Sequence, residues 1–176
     1  MEYEWNETLK DGHKVHIRPI TPEDMEREQA FTKELSPESR YFWLLSAKKQ
    51  LSTKELEDLC NIDYNHNMAF VATVLENGEE VQIGVSRYVM ESTSDDSAEI
   101  AVAIDDNWRH LGLGQLLLQH LINYAKMHKI KRLYSIDLAY NDLMENLSQD
   151  FGFSVETDPQ DTHQVIYSLD LTASDN

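Results

Sequence analysis

The sequence predicts a single α/β domain of the α+β kind, and three observations predict it. Two strand-like runs, Met68 to Glu76 and Glu80 to Glu91, meet at Asn77-Gly78, a tight-hairpin signal. A third apolar run, Ala98 to Ile104, follows after a polar turn, so three antiparallel strands come in succession. A doubly wound nucleotide fold does not begin this way. That third run then enters a polar loop, Asp105 to His110, and a glycine-bearing turn that opens a leucine-rich helix.

Taken in order, residues 1–12 read as a loose N-terminal arm, and residues 13–172 as the domain proper. His13 to Ile20 alternates Val15 and Ile17 with polar neighbours, which predicts a strand. Thr21-Pro22-Glu23-Asp24 is a helix start, with Pro22 at the first helical position and Asp24 closing a capping box. That helix runs to about Leu35 and packs Met25, Phe31 and Leu35. A second helix starts at Ser36-Pro37-Glu38 and carries Tyr41 to Leu45; Ser52-x-x-Glu55 caps a third with Leu56 and Leu59 inward. Beyond the glycine turn, Leu113, Leu117, Leu121 and Ala125 recur on one helical edge, beside Leu118 and Ile122. Leu133 to Leu138 is the next strand. Asn141 opens a short helix packing Leu143, Met144, Leu147 and Phe151, and Gly152 stops it. Phe153 to Thr157 and His163 to Leu171 close the domain as strands, leaving a tail over residues 173–176.

A length of 176 residues suffices for one sizeable core. The lone Cys60 can form no internal disulfide, and together with an acidic, polar N-terminus it predicts a cytoplasmic setting. No apolar run reaches the ~20 residues of a membrane span. A net charge of −17 argues against nucleic-acid binding. It suits a cationic acceptor such as a lysine or a polyamine, and it equally suits a surface kept soluble by charge. No residue pattern points to a metal.

The chemistry-bearing stretch is Arg109-x-x-Gly112-x-Gly114 at a helix start. Free N–H groups there attract anions, and glycines let a ligand approach the backbone closely. A P-loop would need Lys-Ser or Lys-Thr after the glycines, and none follows. A dinucleotide fingerprint would need a third glycine where Leu117 stands, although Asp137 lies at about the right distance for its acidic residue. The third candidate is the acetyl-CoA loop [Q/R]-x-x-G-x-[G/A], which Arg109, Gly112 and Gly114 match.

With Asn141-x-x-Met144-x-x-Leu147 and Phe151-Gly152-Phe153 added, the chain from Val15 to Leu171 resembles the GNAT superfamily of N-acetyltransferases. Ile17-Arg18-Pro19-Ile20, Leu35 to Tyr41, Ile62-Asp63-Tyr64 and Met68-Ala69 resemble the acetyltransferase domain of bacterial Pat-type protein lysine acetyltransferases. The resemblance implies a mixed, mostly antiparallel sheet of about seven strands, flanked by helices and splayed between its fourth and fifth strands. It implies that acetyl-CoA, as co-substrate, lies in the splay. The pantetheine would pair with Val102, Ala103 and Ile104, and the diphosphate would rest on Arg109, His110, Leu111, Gly112, Leu113, Gly114 and Gln115.

Attack on the thioester needs a deprotonated amine, and a free lysine amine with pKa ~10.4 is mostly charged at neutral pH. Glu99, set in an apolar strand and matching the family's general-base glutamate, is the candidate catalytic residue. The competing reading places it on a solvent-facing strand surface, by alternation with Ile100 and Val102. Where many family members carry a tyrosine acid, this chain has Ser148. Tyr134 and Tyr140 are expected to pack. Asn141 is expected to cap its helix, with contact to acetyl-CoA as the second reading. Three readings follow: acetyl transfer to an amine, most concretely a protein lysine; transfer to a small amine such as a polyamine or aminoglycoside; or a non-catalytic acetyl-CoA sensor. Oligomeric state is not legible.

Overall fold

A computed structural model of the chain describes residues 3–44, 48–92 and 96–172. Leu45, expected on the second helix, part of the polar turn before Ala98, and the tail 173–176 lie outside the described residues. The element order is β1 (Trp5–Thr8), β2 (Lys14–Pro19), α1 (Met25–Glu34), α2 (Pro37–Leu44), α3 (Thr53–Cys60), β3 (Asn67–Glu76), β4 (Glu79–Val89), β5 (Ser97–Ile104), α4 (Leu113–Met127), β6 (Arg132–Leu138), α5 (Asp142–Phe151), β7 (Ser154–Thr157) and β8 (Gln164–Asp170). The eight strands form one sheet in the order β1-β2-β3-β4-β5-β6-β8-β7. Every neighbouring pair is antiparallel except β5 with β6. No helix among the described residues is long and apolar enough to cross a membrane.

The sheet has one strand more than the seven expected. Trp5–Thr8, read as part of a loose arm, is β1 and pairs antiparallel with β2, from Trp5 opposite Ile17 to Thr8 opposite Lys14. Its anchor is aromatic rather than aliphatic. Trp5 stacks on His120 of α4 with ring centroids 3.8 Å apart, and it meets Phe70 edge-on at 5.3 Å.

The helix starts behave as their sequences dictate. The Thr21 N–H donates to Asp24 Oδ2 at 2.8 Å, and Asp24 is gripped in turn by the Arg18 guanidinium at 2.7 Å. Pro22–Asp24 forms a 3-10 turn rather than the first turn of α1. Ser52 and Glu55 close a reciprocal capping box on α3. Asn77 and Gly78 both take positive φ, as a type I′ hairpin turn requires.

Central β3 is buried on both faces, so it reads as a continuous apolar run. Its Met68, Phe70, Ala72 and Val74 join the cluster under α4, with Leu113, Leu117, Leu118 and Leu121. Its Ala69 and Val71 join the cluster under α1–α3, with Phe31, Leu35, Trp43 and the buried Cys60. The same alternation splits β5. Ala98, Ile100, Val102 and Ile104 lie on the α4 side, and Ala101 and Ala103 on the α1–α3 side.

Candidate active site

The parallel β5–β6 ladder is only three residues long: Ser97 with Arg132, Ala98 with Leu133 and Glu99 with Tyr134. β5 then runs on to Ile104 and β6 to Leu138 without pairing to each other, while β5 stays paired with β4 throughout. The strands therefore part immediately after Glu99. This leaves a cleft between β5 and β6, walled by α5, that leads to the start of α4. Two cavities occupy it and share Leu143 as a wall: one of about 340 Å³ at the glycine loop and one of about 110 Å³ between the parted strands.

The larger cavity is lined by Arg109, His110, Gly112, Leu113, Gly114, Gln115 and Ile104. His110 and Gly112 both take positive φ, and Gly112 is the N-cap of α4. The first α4 amide to find a helical acceptor is Leu116 N–H, on the Gly112 carbonyl at 3.2 Å. The amides of Leu113, Gly114 and Gln115 precede it and so have no acceptor within the helix. They present donors and the positive end of the helix dipole to the cavity. Gly112 is needed for its φ of +88°; a Cβ there would meet only the flexible Lys10 side chain, at an ordinary 3.4 Å from Cε. Gly114 sits at van der Waals distance, 3.4 Å for an added Cβ, from Leu143 and Leu147 of α5. This keeps the first turn of α4 close against the α5 wall.

The cationic lining is not quite what the motif suggests. The Arg109 side chain is drawn toward α2, where Nη2 donates to Ser39 Oγ at 3.1 Å and Nε stands 3.8 Å from Asp106. Asp106 itself accepts from the Ser36 N–H at 2.9 Å and the Ser39 hydroxyl at 2.9 Å. Burial works to raise the Asp106 pKa, and these donors outweigh it and hold the carboxyl below the usual range. His110 is exposed. Lys10 supplies the cation that sequence reasoning missed. The loop after β1 is tied to the site by the Lys10 N–H donating to the Leu111 carbonyl at 3.1 Å, and the Lys10 side chain lines both the cavity and Gly112.

The smaller cavity is lined by Glu99, Ile100, Ala101 and Val102 from β5, Ser135, Ile136 and Asp137 from β6, Phe42 and Trp43 from α2, and Asn141, Leu143 and Met144. By strand alternation Glu99 shares the face of Ala101 and Ala103, and that face is covered by α2 rather than open to solvent. Glu99 is half-buried, and burial, reinforced by Glu91 and Asp137, raises its pKa above the ordinary carboxylate range. Among the described residues its carboxylate accepts no hydrogen bond. Asp137 faces the gap from the α5 side. It accepts from the Ser135 hydroxyl and from Asn141 Nδ2 at 3.0 Å, and burial raises its pKa against those two bonds.

Residues 23–153 match the Acetyltransferase (GNAT) family. The chain belongs to the GNAT acetyltransferase family. It is 42% identical over 167 residues to the acetyltransferase PA5475 of Pseudomonas aeruginosa, covering 95% of this chain and 89% of that protein. It is 28% identical to the acetyltransferase Pat of Mycolicibacterium smegmatis, covering 88% of this chain and about half, 49%, of that longer protein. The crystal structure of the GNAT domain of S. lividans PAT superposes with a TM-score of 0.86 at 26% identity, covering 96% and 97% of the two chains. GNAT enzymes use acetyl-CoA as co-substrate and act on amine acceptors, and the parted β5 and β6 are the splay that the sequence resemblance implied.

Within this GNAT domain the structure brings the expected loop residues Arg109, His110 and Gly112 to Gln115 and the β5 residues Val102 and Ile104 to one cleft, with Glu99 at its closed end, while Ala103 packs in the cluster under α1–α3 and lines neither cavity. Leu111 lies behind the loop, in the groove shared with Thr8 and Phe151, rather than in the cleft. Asn141 is held as the α5 cap, its Oδ1 accepting from the Met144 N–H at 3.3 Å and its amide nitrogen donating to Asp137. The Ser148 hydroxyl donates to the Glu145 carbonyl at 2.7 Å and is buried. Tyr134 lies under the Arg132 guanidinium at 4.9 Å. Tyr140 does not pack as expected: it is 59% exposed, with its ring 5.5 Å from Phe42 at the cleft edge. The turn before Asn141 carries it out of the core, because Asn141 rather than Tyr140 turns inward to cap α5.

Proposed function

We propose that this GNAT domain moves the acetyl group of acetyl-CoA to a primary amine, the side-chain amine of a protein lysine, by direct attack in a ternary complex. The observation that carries this reading is the polarity of one cleft: unpaired amides at its open end and a half-buried carboxylate where the two strands part. The amides of Gly112 to Gln115 take the diphosphate, with Lys10 and Arg109 beside it. The backbone of Val102 to Ile104, left without a strand partner on the β6 side, pairs with the pantetheine amides. Asn141 serves the site through its cap rather than by holding the co-substrate, since its side chain is already spoken for by Met144 and Asp137.

Glu99 takes one proton from the acceptor ammonium. The freed nitrogen lone pair attacks the thioester carbon, the new C–N bond forms as the C–S bond breaks, and the electrons leave on sulfur. The second nitrogen proton reaches the thiolate through solvent, giving an amide and the CoA thiol. A thiol pKa of ~8.5 makes the thiolate a tolerable leaving group. The absence of a tyrosine at Ser148 is therefore consistent with turnover. The likeness of the front half to Pat-type enzymes supports a protein acceptor. The test is a panel of lysine peptides, polyamines and aminoglycosides with acetyl-CoA: lysine peptides turn over fastest under this reading. Faster turnover of a small amine overturns the acceptor class, and tight acetyl-CoA binding with no transfer to any amine makes the protein a sensor.

A further inference from the structure

Among the described residues, the gap between β5 and β6 is lined by two carboxylates and no basic side chain. Glu99 and Asp137 line it together with Trp43, Ser135 and Asn141. The neighbouring cations are engaged elsewhere: Arg87 stacks over Trp43, its Cζ 5.7 Å from the ring centroid, and donates Nη2 to the Leu59 carbonyl at 2.6 Å, and Arg132 stacks over Tyr134 at 4.9 Å and donates Nη2 to Ser168 Oγ at 2.8 Å. The other charged groups facing this pair are acidic or neutral: Glu91 beyond β4 acts on Glu99, and Tyr167 of β8 feels Asp137. Two carboxylates left uncompensated in a half-dry gap of about 110 Å³ form an environment that a cation relieves. They approach from opposite sides, Glu99 from beneath α2 and Asp137 from beside α5.

Resting on the functional reading above, we infer that Asp137 is an acceptor-binding residue, which together with Glu99 makes this gap select the charged ammonium form of the amine. Ser135 and Asn141 fix its carboxylate in place. Glu99, free of hydrogen bonds, is the member of the pair able to accept the proton. Asp137 keeps negative charge beside the amine after that transfer. The acceptor thus enters as the abundant ammonium species and is deprotonated only in the gap.

The test separates binding from turnover by loading the protein with CoA, which cannot transfer an acetyl group. Calorimetry then measures the affinity of a blocked lysine (Nα-acetyl-lysine methylamide) and of its neutral norleucine counterpart. The wild type binds the lysine compound at least ~10-fold more tightly than the neutral one, and Asp137→Asn loses at least ~5-fold of the lysine affinity. CoA affinity, neutral-ligand affinity and melting temperature stay near wild type, and Asp137→Glu restores most of the lost affinity. Equal lysine affinity in Asp137→Asn and wild type, or no preference for the cation in the wild type, overturns the inference. Cation selectivity that disappears in Asp137→Asn, alongside no acetyl transfer by the wild type, would sink the proposed function and leave this inference standing.

Discussion

The two ends of the cleft are built from different materials. At the glycine loop the donors are main-chain amides at the start of α4, with two side chains beside them: Lys10 from the segment after β1, and Arg109 partly turned toward α2. At the parting of β5 and β6 the charged groups are side chains, Glu99 and Asp137, in a gap that no basic group lines among the described residues. The first end suits an anion on a protein whose overall charge is −17, because fixed amide dipoles act at close range where the distant negative field is screened. The second end shares the sign of the whole protein and suits a cation. Under the proposed function, one cleft takes a polyanionic co-substrate and a cationic acceptor without placing either in a field that repels it.

That contrast can be broken one end at a time. Glu99→Gln removes the proton acceptor and leaves the amide end intact. Turnover near neutral pH falls by ~100-fold or more, the span of general-base catalysis. CoA affinity measured by calorimetry holds within about twofold. Gly112→Ala does the reverse. A side chain at φ +88° is strained by ~1–2 kcal/mol, so the α4 amides shift. CoA binds roughly tenfold more weakly, while turnover at saturating acetyl-CoA changes little.

The pH profile sharpens the comparison further. Glu99 must be deprotonated to act, so activity falls as pH drops through its pKa. Burial with Glu91 and Asp137 nearby raises that pKa, which places the acid limb above the ordinary glutamate range. Asp137→Asn removes one like charge and moves the limb to lower pH, a shift read from the profile of kcat/KM. The smallest effect belongs to Lys10→Ala. It is a partly solvated contact, so CoA affinity drops only ~2–3-fold, and the loss shrinks at high salt.

The two ends also differ in how much of them could be read from the sequence. The amide end is local: Arg109 to Gln115 carries the loop, the positive-φ glycine and the helix start within seven neighbouring residues, so spacing alone reveals it. The cap of α5 is legible for the same reason, with Asn141 at one end and Gly152 in the left-handed conformation at the other. The acidic end is assembled across space. Glu99 and Asp137 sit on strands that pair for three residues and then part, and no spacing encodes that parting. Asp137 has the right separation from the glycines for a dinucleotide fold, and it is the missing third glycine at Leu117 and the antiparallel start of the sheet that argue it into another role. Lys10 and β1 were hidden because Trp5–Thr8 is four residues long and is held by Trp5 stacking on His120, more than a hundred positions away. The face of Glu99 was open in the sequence because alternation gives the face but not what covers it. α2, with Phe42 and Trp43, is what covers it.

The most direct test of the central claim is a crystal structure of the protein with CoA bound. The account predicts the diphosphate within hydrogen-bond distance of the Gly112 to Gln115 amides and the thiol in the gap that Glu99 lines. CoA lying outside the β5–β6 cleft, or a diphosphate held away from the start of α4, would contradict it.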